Sequence, residues 1–423
     1  MISKWAEVKP MLTEKDTDVI CLQETHFLPT DQYDFRLHNY TIFNAYANTD
    51  RRQGGVCIYV KNDHPHFQKT LNTTLQAVAC SVKVGRTRLC VCSLYLPPAE
   101  PITFQDINNL ICQLPQPFVI CTDANSRHTM WGADRCDPRG IIWERIIQQH
   151  ALHILNDGCP TRLDEYTGLW SHIDITISTH NIGQYLTWCT DNDLYSSDHC
   201  PIQITYDIQQ TAQDRPNMFY GWNTNKAKWV EFTDICNIQF DEAIGINNCK
   251  NITENLITAA TETISKKTGK TKYSCPWWND DCKEAIQNRK RTLNRLRRSN
   301  RTEHLMQYKQ AKAKARQVVR KAKKDSWEKL LHIFNHTTPI KQLWEIIRKF
   351  TKKDKFVKRQ PVLRINDDII DDPQEVANKL GHYYSEISAS ENYRPIFREH
   401  LNEIINNTLS KKSNNPNNCF LMF

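Results

Sequence analysis

An α/β domain followed by a basic, all-helical segment is the fold class this sequence predicts, and three observations predict it. Short apolar runs rich in Val, Ile, Cys and Tyr recur up to Tyr206, separated by segments with helical spacing. From Asp281 to about Phe334 the chain lacks Gly and Pro and keeps apolar residues at helical intervals. Between Lys283 and Lys324, sixteen Lys/Arg meet only two acids, Glu284 and Glu303. That stretch carries about +14 within a chain of net charge +8, so the remainder stands near −6. A neutral-to-acidic body with a basic arm points to a polyanionic partner.

The elements follow in order. Apolar spacing places a helix at Ser3–Glu14 and strands at Asp18–Gln23 and Gly55–Val60. Ala77–Val84 and Arg88–Leu96, split by a short turn around Gly85, form a β-hairpin. A helix at Phe104–Gln113 precedes the strand Phe118–Thr122. Asp137-Pro138-Arg139-Gly140 opens another helix through His150, with Ile142, Ile146 and Ile147 on its apolar side. Strands at Ile173–Ser178 and Pro201–Tyr206 complete the α/β part. Phe219–Ser265 is expected to be helical, with contacts at Trp229, Phe232, Ile235 and Phe240, and Lys266–Lys270 is a basic linker. The Gly-free run that follows would be one helix of roughly 75 Å, so Ser299-Asn300-Arg301 is the expected break of an antiparallel hairpin. The expected domains are 1–207, a helical linker 208–275, a basic hairpin 276–335 and a connector 336–423.

No signal-like segment opens the chain and no run of 18 apolar residues could span a membrane, so no membrane partner is expected. Of the sixteen cysteines, Cys21, Cys57, Cys80, Cys90, Cys92 and Cys121 fall in strand-like runs, where free Cys behaves as a small hydrophobe. There is no CxxC pair. Buried thiols in a reducing compartment are the expectation, with a disulfide or zinc framework as the alternative.

The chemistry-bearing residues stand at strand ends, where ligands bind in open α/β sheets. Glu24 follows Val19-Ile20-Cys21-Leu22-Gln23 and suits a hard divalent ion, which takes one or two carboxylates and keeps several waters. Asp123 and Asn125, two residues apart, point to one side of an extended backbone: an acceptor and an amide donor for a water and a phosphoryl oxygen. Asp198-His199 opens another strand, and the imidazole can serve as base or phosphate donor once a carboxylate fixes its tautomer. Asp174, in Ser171-His172-Ile173-Asp174, is the candidate. Singly these residues have ordinary readings: a loop acid, an Asx turn, a structural histidine. Together they point to metal-assisted phosphodiester cleavage.

The order Gln23-Glu24-Thr25, Ser93-Leu94-Tyr95-Leu96-Pro97-Pro98, Thr122-Asp123-Ala124-Asn125, Thr161-Arg162, Ser171-His172-Ile173-Asp174 and Ser197-Asp198-His199 resembles the endonuclease/exonuclease/phosphatase family. More narrowly it resembles the apurinic-like endonuclease of non-LTR (LINE) retrotransposons. His128-Thr129-Met130-Trp131-Gly132 followed by Arg139-Gly140 is similar to the Jockey-type elements. The resemblance covers residues 1–207; Pro276-Trp277-Trp278-Asn279 and the basic helices, through Asp372-Pro373, resemble the connector before a reverse transcriptase.

The resemblance implies a four-layer α/β/β/α sandwich with the site at one mouth. It implies a metal, magnesium or manganese, held by Glu24 with Asp198 beside it. Tyr95 would contact the scissile phosphate, and Asp123 would align the water or protonate the leaving oxygen. Asn125 would hold water and phosphate. Thr161, Ser171 and Ser197 would support the phosphate side, and Asp174 would polarise His199. The family's opening strand, with an Asn in a Trp-Asn-x-x-Gly pattern, is not matched before the first helix. The expectation is a domain lacking that strand and one metal or phosphate contact. No Tyr-x-Asp-Asp motif appears in the sequence, so reverse transcription is not expected of it.

Phosphate neutralisation is the favoured reading of the basic helices, with Arg289, Lys290, Arg291, Arg297 and Arg298 as candidate contacts to DNA or to the element's RNA. A solvated face is the plain alternative. A nuclear-import signal is compatible with either, which makes nuclear localisation the expectation. The function expected is a Mg²⁺-dependent DNA endonuclease that nicks target DNA for target-primed reverse transcription. The rival is a catalytically inactive remnant that binds nucleic acid through its basic helices. An abasic-site repair nuclease or a phosphoinositide phosphatase fits the connector and basic arm less well.

Overall fold

The computed structural model describes residues 5–31, 35–47, 52–207, 222, 224–241, 249–265, 277–299, 301–333, 339, 344, 361–365, 368–400 and 403–404. The chain divides into two compact units, Met1–Lys61 with Gln68–Asp354, and Asn62–Phe67 with Lys355–Phe423.

In the first unit, α1 (Trp5–Lys15) precedes β1 (Val19–Gln23), β2 (Tyr40–Ala45) and β3 (Val56–Lys61), an antiparallel sheet in the order β1-β3-β2. The middle strand β3 reads as a continuous apolar run because both of its faces are covered. Cys57 and Tyr59 pack with Val8, Met11 and Leu12 of α1. Val56, Ile58 and Val60 face the other way and meet a second sheet.

That second sheet contains β4 (His66–Lys69), β5 (Gln76–Val84), β6 (Thr87–Tyr95), β7 (Phe118–Asp123), β8 (Leu152–Ile154) and β11 (Asp174–Thr179), in the order β4-β5-β6-β7-β11-β8. Val78, Cys80 and Val82 of β5, with Val91 and Val119, close the core between the sheets. On the far face, Ala77, Ala79, Cys90, Cys92 and Leu94 pack against α2 (Phe104–Cys112) and α3 (Pro138–Gln149), through Ile107, Leu110, Trp143 and Ile146. Helix, sheet, sheet, helix is the four-layer sandwich expected. The hairpin β5–β6 turns through a two-residue loop whose first residue, Gly85, has φ +59°, as the mirror-image hairpin turns require. Helix α2 begins at a capping box between Thr103 and Asp106, and α3 at Asp137, whose Oδ1 accepts from Gly140 N at 2.7 Å.

Strands β2, β4 and β8 are only partly buried, and β4 and β8 are also short, so none carries a clear apolar pattern in the sequence. Two small ribbons add β9 (Arg162–Leu163) with β10 (Trp170–Ser171), and β12 (Leu186–Thr190) with β13 (Ile202–Tyr206). The short α4 (His180–Gly183) follows β11.

Downstream lie α5 (Trp229–Asp241) and α6 (Cys249–Thr263), inside the segment expected to be helical. Phe240's side chain and the linker Lys266–Lys270 lie outside the described residues. Helices α7 (Asp280–Arg298) and α8 (Thr302–Ile333) pack together as a hairpin, with Ser299 and Arg301 between them. Asn279 caps α7, its Oδ1 accepting from Cys282 N at 3.0 Å. Leu293, Leu296, Leu305 and Tyr308 of this hairpin pack onto Leu163, Leu194 and Cys200 of the sandwich.

The second unit contains the antiparallel pair β14 (Leu363–Ile365) and β15 (Asp368–Ile370), then α9 (Pro373–Ile387) capped by Asp372. The connector is therefore not wholly helical: β-branched Ile365, Ile369 and Ile370 favour the extended pair. The cysteines whose side chains are described are free thiols. Among the described residues no helix is long and apolar enough to cross a membrane.

Candidate active site

Strand register assembles the site. Strand β6 runs parallel to β7 with Tyr95 opposite Asp123, and β7 runs antiparallel to β11 with Asp123 opposite Asp174. Three residues far apart in sequence thereby stand side by side at one end of the sheet. His199 arrives from the turn before β13. Its Nδ1 lies 3.0 Å from both oxygens of Asp174, and its Nε2 lies 4.0 Å from Asp123 Oδ2.

The electrostatics follow from this packing. Burial pushes the Asp123 carboxyl up, and the neighbouring Asp174 and Glu24 charges add to that; His199 opposes them, and the result is about 7. Burial alone would lower His199, but Asp174, with Asp123 and Asp198 behind it, outweighs this and raises the imidazole to about 9. With Asp174 on Nδ1, a protonated ring directs its Nε2–H away from Asp174. Asp123 Oδ1 is buried and has no hydrogen-bond partner.

Glu24 directly follows β1 with φ +49°, a backbone strain worth on the order of 1–3 kcal/mol in a non-glycine residue. Tyr95 donates its hydroxyl to Glu24 Oε1 at 2.6 Å, and burial followed by the Glu24 charge raises the phenol well above its ordinary range. Gln23, which the sequence offered only as part of a motif, ties the two sheets together through Ser93 Oγ (3.0 Å) and Cys121 O (3.2 Å). Asn125, at φ +45°, donates Nδ2 to Leu96 O at 3.2 Å. Arg139, not foreseen as a site residue, clasps the same turn through Pro97 O (2.9 Å) and Leu96 O (3.1 Å).

The expected phosphate-side residues are placed less uniformly. Thr161 is fully buried, and its Oγ1 accepts from Ile173 N (3.4 Å) and Asp174 N (3.3 Å), so it fixes the backbone of Asp174. Ser171 Oγ is buried without a hydrogen-bond partner, and Ser197 Oγ accepts from His199 N at 3.2 Å. Asp198 Oδ2 accepts from Arg162 Nε at 3.2 Å. Asn156 had no sequence signal; its Nδ2 donates to Asp174 O and its Oδ1 accepts from Thr176 N, bracing β11.

The side chains fit a hard divalent ion. Glu24, Asp123, Asp174 and Asp198 set four carboxylates against His199 and Arg162, and the partnerless Asp123 Oδ1 has an unused lone pair. One ligand atom from each of Asp123, Asp174 and His199 lies within 4.8 Å of the others. The expected ligands Glu24 and Asp198 are outside that trio.

The basic residues split into two groups. Arg289, expected to face phosphate, is 1% exposed and instead binds Glu7, Ser196 Oγ (3.2 Å) and Asp193 Oδ2 (2.9 Å). Burial in water-free surroundings demands such pairing, which removes it from any nucleic-acid surface. Arg297 is likewise engaged, with Asn192 Oδ1 (3.1 Å), Asp191 O (3.0 Å) and Cys200 Sγ (3.1 Å), and it lies over the Trp170 ring. Lys290 is half-buried, 3.7 Å from Asp193. Arg291 and Arg298 are exposed.

Two facing sheets thus carry a carboxylate–imidazole pair at their strand ends, the arrangement expected of a phosphodiester-cleaving α/β sandwich. Residues 89–203 match the family model described as endonuclease-reverse transcriptase. The chain is 26% identical over 267 residues to the RNA-directed DNA polymerase from mobile element jockey of Drosophila melanogaster, covering 60% of this chain and 28% of that protein. It is 25% identical over 227 residues to the probable RNA-directed DNA polymerase from transposon X-element of the same organism, covering 53% and 25%. The chain thus spans roughly a quarter of the length of these curated relatives. Among solved structures it is similar to the endonuclease domain of TRAS1, a telomere-specific non-LTR retrotransposon, at 23% identity and a TM-score of 0.42, covering 48% of this chain and 93% of that one. The sandwich thus contains a match to an endonuclease-reverse transcriptase family model, and the chain is similar in sequence to the polyproteins of Drosophila mobile elements.

Proposed function

We propose that the chain is a divalent-metal-dependent DNA endonuclease that nicks target DNA and leaves a 3′-hydroxyl for target-primed reverse transcription. The endonuclease-reverse transcriptase model matched by residues 89–203 supports the endonuclease role. The observation that carries the chemistry is the row Tyr95, Asp123, Asp174 with His199 set against it.

Asp174 holds the imidazolium and leaves Nε2–H to donate to a phosphoryl oxygen. Asp123, with its carboxyl near 7, can take a proton from the attacking water and return one to the leaving oxygen. Asn125 keeps the turn at Leu96 beside it, and Tyr95 orients Glu24. Glu24, with Asp198 adjacent to His199, would hold magnesium or manganese, and when bound such an ion supplies neutralisation of phosphoryl charge and of the departing alkoxide. The outward cations Arg291 and Arg298 extend the basic surface available to DNA or to the element's RNA. A nuclear site of action follows from that substrate.

The test is nicking of supercoiled plasmid under Mg²⁺, with circular dichroism to confirm folding. Asp123→Ala and His199→Ala should each abolish nicking; unchanged nicking in both overturns the assignment. DNA binding by the unaltered chain without any nicking supports the inactive remnant instead.

A further inference from the structure

The cations of the basic hairpin that touch the sandwich converge on one loop, Asp191–Cys200, the loop that delivers His199. Arg289 binds Asp193 and Ser196 Oγ, and Arg297 binds Asp191 O and Cys200 Sγ. Lys312 donates to Ser197 O at 3.1 Å while paired with Glu165, and Arg316 donates to Ser196 O at 3.1 Å. We infer that α7–α8 is a positioning element of the nuclease site, clamping the Asp191–Cys200 loop so that His199 stays against Asp174. This rests on the endonuclease reading above.

Three observations carry it beyond a phosphate-binding role. First, besides Glu7 and Glu165, the acceptors are backbone carbonyls and side chains of the loop itself. Arg289 and Lys312 are 1% and 5% exposed, so their charges are committed inside the protein. A buried cation costs free energy unless it is paired, and these are paired where loop geometry must be held. Second, the loop is strained at the clamped positions: Tyr195 and Ser196 have φ +45° and +64°. Non-glycine residues keep such angles only where surrounding contacts over-determine them. Lys290 over the Tyr195 ring and Arg289 and Arg316 on Ser196 are such contacts. Third, Leu293, Leu296, Leu305 and Tyr308 seal an apolar seam on Leu163 and on Leu194 and Cys200 of the same loop. His199 is only two residues beyond Ser197, so a shift there moves the ring off Asp174. Catalytic geometry tolerates little displacement: about 1 Å can cost roughly a hundredfold in rate.

The experiment uses the full chain with Lys312→Met/Arg316→Met and, as a milder variant, Arg316→Met, whose side chain is exposed. Initial rates of plasmid nicking under Mg²⁺ against plasmid concentration separate kcat from KM. Hydrogen exchange of peptides covering residues 191–200 reports the loop independently of activity. Expected are a kcat reduced at least about tenfold with KM within about twofold, and exchange accelerated about tenfold in 191–200 but unchanged in β5 and β6. The unchanged strands exclude general unfolding as the cause. A raised KM with unchanged kcat makes these residues phosphate contacts and overturns the proposal, as does unchanged exchange in the loop. If the unaltered chain does not nick but the loop still responds, the endonuclease reading fails while the clamp stands.

Discussion

His199 Nδ1 lies 3.0 Å from both carboxylate oxygens of Asp174, which stands across the sheet from Asp123. The bidentate contact fixes the ring's tautomer and supplies the charge that raises it to about 9. Asp174→Asn keeps the shape but removes the charge. Nicking should fall by roughly a hundredfold or more, and the His199 pKa measured by NMR titration should drop toward its ordinary value. A variant that retains activity and a high imidazole pKa would contradict the role given to Asp174.

Asp123 couples activity against stability. Its carboxyl is buried, repelled by Asp174 and left with one oxygen unpartnered. Asp123→Asn removes the repulsion, so in chelator at pH 8 the variant should be about 1 kcal/mol more stable than the parent while losing nicking. Thermal unfolding measures this, and a destabilised Asn variant would show that the carboxylate is better satisfied than its surroundings imply.

In chelator, stability should decline with rising pH. The folded-state pKa of His199 stands above its ordinary 6.5, so its contribution is complete below that pH and disappears as pH rises through about 9. Asp123 acts in the same direction: its carboxyl is raised from 3.8 to about 7, so folding penalises its ionisation across that interval. The His199 contribution is on the order of 2–3 kcal/mol. The melting temperature should fall between pH 6 and 9, and His199→Gln should flatten the upper part of that decline. A melting temperature that climbs over this interval excludes the assignment.

Gly132, directly after buried Trp131, has φ +97°, and a Cβ added there would sit 2.7 Å from Gly158 Cα. Both the backbone angle and the facing backbone resist a side chain. Gly132→Ala should cost about 2–3 kcal/mol in chemical denaturation. A neutral result would mean that the segments carrying Trp131 and Gly158 separate easily.

Much of the sandwich was legible because its central strands announce themselves. Val56–Lys61 and Phe118–Asp123 are covered on both faces and so read as largely apolar runs, while Asp137, ahead of Pro138, marks its helix start. Strands β2 and β8 carry no such run and emerge only by pairing with stronger neighbours. The pairing of Asp174 with His199 is legible in the sequence, because an imidazole at a strand end needs a carboxylate. Arg162, Asn156 and Arg139 were missed as site residues: each acts on a backbone or side chain that is close only after folding.

Glu24, Asp123, Asp174 and His199 belong to the sequence: their residue types and their places near strand ends follow from local patterning alone. What only tertiary structure decided was the fate of the basic arm. In sequence Arg289 and Arg291 are neighbours of equal charge, yet the helix turns one into a buried pocket of Glu7 and Asp193 and leaves the other in solvent. Charge is a property of composition, but whether a charge meets phosphate or protein depends on which helix face the long-range apolar seam buries.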